Sequence, residues 1–136
     1  MKIKILMSSM ILAAFSFNAI AEVSNPAVIS NANVKYEISY KKDVFPILYD
    51  YCLNCHSPEG KGYNKSGLDM RTYESLMKGT KFGPVVKPGD PETSTLVMLV
   101  EWRAKPELHM PPLNGKLYKE HITTLRKWVH QGAKNN

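Results

Sequence analysis

The chain has 136 residues and carries 18 Lys and Arg against 12 Asp and Glu, for a formal charge of +6 at neutral pH. That length suits one domain with a modest core. The basic excess contains no run of Lys and Arg interleaved with aromatic residues, so nucleic acid is not an expected partner.

Lys2 and Lys4 precede the mostly apolar stretch from Ile5 to Phe17, and Ala19-Ile20-Ala21 is a small-x-small cleavage site. Residues 1–21 therefore read as a secretory signal peptide that is removed on export to the periplasm. The apolar run is short for a spanning helix, and no cysteine stands at the cleavage site to take a lipid. Stable membrane insertion is not expected. Removal leaves 16 basic and 12 acidic side chains, a formal +4. Such a surface suits an acidic redox partner protein, but it is equally an ordinary solvated surface. Residues 22–39 are polar and without period, a flexible leader; residues 40–136 form the domain.

Within that domain a first helix is expected from near Asp43, as cap, to Cys52, with Pro46 tolerated in its first turn. Val44, Ile47, Leu48 and Tyr51 fall on one stripe. Ser57 to Gly67 is rich in Gly, Pro, Lys and Ser and reads as a surface loop. A short helix follows from Thr72 to Lys78, stopped by Gly79. The glycines of the segment from Phe82 to Gly89 suit an irregular crossing close to a flat ligand. Asp90-Pro91 reads as cap and first residue of a third helix reaching about Arg103. Pro106, Pro111 and Pro112 exclude regular structure before a final helix from Tyr118 to Gln131, with Gly132 as its stop. The fold class is all-α: about four helices with long loops.

The only two cysteines lie in Cys52-Leu53-Asn54-Cys55-His56. Two thiols at this spacing can each bond one vinyl group of a single porphyrin, and the adjacent histidine then becomes the proximal iron ligand. Other readings are weaker. A redox dithiol needs a βαβ surround, a zinc site needs a fourth ligand at finger-like spacing, and a disulfide here would close a strained ring. One covalent haem c is the expected cofactor, held by Cys52, Cys55 and His56, and it would supply a large apolar body for a small domain to fold around.

For the opposite axial site Met70, Met77, Met98 and Met110 compete with His109, His121 and His130. Met77 and Met98 sit in apolar helical surroundings that suit core packing. Met70 is close to the attachment turn. Met110 has the strongest case, because Pro111 and Pro112 stiffen its backbone and an ordered backbone lowers the cost of holding a flexible thioether on iron. Adjacent side chains of an extended segment point apart, so His109 and Met110 cannot both face the iron. His121 and His130 suit the surface or core of the last helix, while Tyr51 and Trp128 suit packing near the haem or the core.

From about Lys42 to Ala133 the chain resembles the cytochrome c domain family first grouped from planctomycete proteins. The resemblance rests on Val44-Phe45-Pro46-Ile47-Leu48 before the cysteine motif and on Gly67-Leu68-Asp69-Met70. It continues with Val85 to Ser94, His109-Met110-Pro111-Pro112 and Ile122 to Val129. It implies a class I-like monohaem fold with His56 and Met110 as axial ligands. Leu113 to Leu117 departs from the family by lacking a Ser/Thr cap before the last helix.

The expected function is single-electron transfer in the periplasm, as a carrier or as the small subunit of a larger redox complex. No acid–base pair or substrate pocket suggests an enzyme in its own right. The alternatives are a haem-based gas sensor or ligand-binding protein whose distal bond is labile, and a structural role for the haem within a respiratory complex.

Overall fold

The structure, a computed structural model, describes residues 36–112 and 115–136. The expected signal peptide and residues 22–35 of the expected leader lie outside them. Five α-helices follow in order: α1 (Phe45–Tyr51), α2 (Lys61–Ser66), α3 (Tyr73–Lys78), α4 (Thr95–Val100) and α5 (Lys119–His130). Among the described residues there is no strand, only an isolated bridge between Thr80 and Gly83. The fold class is all-α.

A π-helical turn at Tyr40–Val44 leads into α1. Ser39, rather than Asp43, is its cap: the Ser39 hydroxyl accepts from the Lys42 amide, while the Asp43 carboxylate accepts from the Ser39 amide at 2.7 Å. Asp43 is thus the return partner of a reciprocal cap. The apolar stripe behaves as its spacing dictates. Val44, Ile47 and Leu48 are buried and Tyr51 is half-buried.

Residues 36–39, assigned to the leader by composition, are anchored to the other end of the chain. Ile38 is buried, and its amide donates to the Gln131 side chain at 2.8 Å. Ser39 Oγ and the Lys41 amide both donate to the Asn136 carbonyl. These bonds link distant sequence positions, which local composition does not encode.

The expected loop from Ser57 to Gly67 contains α2, so the described residues hold five α-helices where the sequence suggested about four. This helix ends by a left-handed Gly67, whose amide returns to the Tyr63 carbonyl at 2.6 Å. Its start is fixed from outside, because the Tyr63 amide donates to the Cys55 carbonyl. Tertiary contact overrides a sequence in which Gly62 and Asn64 are poor helix formers.

α3 appears where expected, with a complete capping box between Thr72 and Ser75 and Gly79 at its end. The helix after Asp90 is shorter than expected. Asp90 caps only the Pro91–Thr93 turn, accepting from the Thr93 amide at 3.1 Å, and buried Ser94 then takes an extended conformation as the cap of α4. Ser94 Oγ accepts from the Lys87 amide at 2.8 Å and donates to the Asp90 carbonyl at 2.9 Å. One hydroxyl ties the crossing segment to the start of α4.

α5 packs against the Tyr40–Val44 turn and against α4. Its buried face is Leu125, Trp128 and Val129. Trp128 is fully buried, donates from Nε1 to the Lys134 carbonyl at 3.0 Å, and meets the rings of Tyr40 and Tyr73 at 5.6 and 6.4 Å. Burial, with smaller contributions from Glu74 and Tyr73, pushes the Tyr40 phenol up to about 12. This aromatic knot holds the Tyr40–Val44 turn, α3 and α5 together.

Candidate haem site

The site begins where α1 runs out. The Cys52 and Leu53 amides both return to the Leu48 carbonyl, and the Cys55 and His56 amides then close on the Cys52 carbonyl at 3.1 and 2.9 Å. A single compact turn therefore carries both thiols and the imidazole. Both cysteines are free and half-buried. Burial, reinforced by the neighbouring Cys55, pushes the Cys52 thiol up to about 12. A reactive redox dithiol wants the opposite, a depressed thiol that ionises near neutrality.

Burial also pushes the His56 imidazole below its usual range, with the Leu68 backbone carbonyl partly opposing the shift. The ring is therefore neutral at neutral pH, as a metal ligand must be. Its Nδ1 is buried and lacks a partner in good hydrogen-bond geometry. The nearby Leu68 carbonyl is the acceptor that would orient such a ring. The His56 carbonyl in turn accepts from the Met70 amide at 2.8 Å, so the segment after α2 lies alongside the turn.

α2 seats against this turn through its glycines. A Cβ on Gly60 would stand 2.4 Å from the Cys55 carbonyl oxygen, and one on Gly62 would stand 2.8 Å from His56 Cε1. Neither position has room for a side chain. Sequence reading missed both residues because a Gly-rich run reads as loop; the available signal was a pair of glycines closely following the histidine of the cysteine motif.

Met110 belongs to the half-buried apolar fringe that also includes Cys52, Leu53, Met77 and Ile122, packed on the one core. Its amide donates to the Leu99 carbonyl at 3.2 Å. Among the described residues no hydrogen bond joins its segment to the Cys52–His56 turn. His109 faces elsewhere: its ring lies on Trp102, centroids 4.7 Å apart and planes 7° apart, and its Nε2 is 2.9 Å from the Ala104 carbonyl. Met70 is buried in the core. Met98, expected in the core, is instead half-buried on α4, since Leu96, Val97 and Val100 occupy the inward face. His130 is exposed. His121 is half-buried between Tyr51 and Tyr118, at 5.2 and 5.8 Å.

Two open clefts of about 730 and 610 Å³ share Glu92, Thr123 and Arg126 in their walls. Arg126 pairs there with Glu92 and Glu101. Neither cleft includes the Cys52–His56 turn or Met110, and their charged walls suit water better than a porphyrin. Among the described residues no cluster of three or more His, Cys, Asp or Glu could hold a metal ion.

Two thiols on one turn, followed by a half-buried imidazole whose buried Nδ1 lacks a partner, fit covalent haem, the chemistry of a c-type cytochrome. Comparison with known families bears this out. Residues 52–114 match the family model described as Planctomycete cytochrome C. No curated protein and no solved structure matches it. No described helix is long and apolar enough to cross a membrane.

Proposed function

We propose that the protein is a monohaem carrier of single electrons in a class I-like cytochrome c fold, acting in the periplasm alone or as the small subunit of a redox complex. The observation that carries this reading is the Cys52–His56 turn, which places both thiols beside a half-buried imidazole. Cys52 and Cys55 would form the two thioether bonds, with His56 as proximal and Met110 as distal ligand. The haem would supply one-electron cycling of its iron. The chain's residues do the rest. The Leu68 carbonyl, which acts on the His56 ring, would be the acceptor that orients it and leaves one ring nitrogen for the metal. α2, pressed against the ring at Gly62, prevents the imidazole from turning. Lys2, Lys4 and the Ala19–Ala21 cleavage site support export, and a lone C-x-x-C-H motif supports one haem per chain.

The test is the intact mass of the exported protein. It should equal the chain from Glu22 plus one haem, and acidified acetone should leave the pigment on the protein. A colourless or extractable preparation would overturn the reading.

A further inference from the structure

α4 ends in an arrangement that ordinarily belongs to glycine. The Arg103 amide returns to the Met98 carbonyl at 2.9 Å and the Trp102 amide to the Leu99 carbonyl at 3.3 Å, the paired bonds of a Schellman stop. The residue at the left-handed position is Trp102, with φ 62°. A bulky aromatic in this region is strained, and strain of this kind persists where the surrounding structure uses it. Burial does not account for it, since Trp102 remains 37% exposed.

The ring's contacts do account for it. Its indole N–H donates to the Met110 carbonyl at 3.3 Å, a long bond, and its face lies flat on His109, the residue before Met110. The Lys116 ammonium sits 5.8 Å from the ring centroid. The Met110 amide meanwhile donates to Leu99, the same carbonyl that receives the Trp102 amide. The Met110 backbone is therefore held at both its N–H and its C=O by the stop of α4. His109 is turned away by its stack and by its contact with the Ala104 carbonyl.

We propose that Trp102 is a positioning residue for the distal ligand: it clamps the His109–Met110 backbone so that the thioether stays on the iron. The proposal rests on the reading of Met110 as distal ligand. With the left-handed backbone at Trp102, the indole lies on His109 and reaches the Met110 carbonyl, which accounts for a tryptophan where glycine would be unstrained.

The test uses the ferric holoprotein, with two readouts: the weak far-red sulfur–iron band, and displacement of the thioether by added imidazole. Trp102→Gly removes the ring while relaxing the backbone, so a purely structural residue would leave both readouts unchanged. The clamp predicts a weakened band and imidazole affinity raised about tenfold, from the loss of one hydrogen bond and one aromatic stack. Trp102→Phe keeps the stack and loses the donor, and should give a smaller rise, about threefold. Unchanged imidazole affinity in Trp102→Gly, with the band lost in Met110→Ala, overturns the clamp while sparing the ligand assignment. A band that survives Met110→Ala overturns the ligand assignment and the clamp with it.

Discussion

Replacing Gly62 with alanine sets two known effects against each other at the proximal histidine. Helix propensity alone favours alanine, by at most about 1 kcal/mol in a helix interior. The structure opposes it: the new methyl would stand 2.8 Å from His56 Cε1 and 2.9 Å from the Cys55 carbonyl oxygen. Both obstacles are fixed, one as backbone and the other as the proposed iron ligand. Forcing a methyl group into packed surroundings typically costs about 1–3 kcal/mol. The net expectation is a loss of about 1–2 kcal/mol, and each kcal/mol lowers the melting temperature of a domain this size by roughly 4–8 °C. Melting of the holoprotein, followed at the Soret band and by far-ultraviolet circular dichroism, measures it. Gly60→Ala should be worse, because its methyl would meet the Cys55 oxygen at 2.4 Å. Gly67→Ala is the control: its φ of 74° makes alanine strained, at about 1 kcal/mol, but its nearest neighbour is 3.5 Å away and the haem spectrum should not change. A Gly62→Ala protein with full haem content and a melting temperature at or above the parent's would refute the seating of α2 on His56.

Three further outcomes are expected. Met110→His should keep a low-spin haem and lower its midpoint potential, because imidazole favours ferric iron more than thioether does; redox titration with optical detection checks this. Asp90 is held at about 2, below its ordinary 3.8, first by the Thr93 hydroxyl and then by Lys87 and the Thr93 amide. A depressed carboxyl stabilises the fold above its unfolded value and ceases to do so as pH falls through the folded one. Urea midpoints of Asp90→Asn and the parent should therefore differ by a constant amount above about pH 4 and converge near pH 2. Thr72→Ala breaks the capping box with Ser75 and should cost about 1 kcal/mol by denaturant titration, with the haem spectrum unchanged.

What the sequence determined by itself were the features written in short spacing. The pentapeptide Cys52–His56 defines the turn that carries both thiols and the imidazole, Thr72 and Gly79 bound α3, and the stripe from Ile122 to Val129 defines α5 with its stop at Gly132. These depend on neighbours within a turn or two, which is the range over which caps and amphipathic periods act. Only the tertiary structure decided the rest. α2 exists because the Cys55 carbonyl captures the Tyr63 amide and because Gly60 and Gly62 admit close approach to the turn, although the composition says loop. Residues 36–39 are ordered because Gln131 and Asn136, some ninety positions away, supply their hydrogen bonds. Ser94 displaces Asp90 as the cap of α4 because its hydroxyl is buried against the Lys87 amide. Trp102 reaches Met110 through a left-handed backbone that a local reading assigns to glycine. In each case the deciding partner is distant in sequence or the conformation is one that local propensity disfavours, and the energy that selects it comes from groups that meet only in the folded chain.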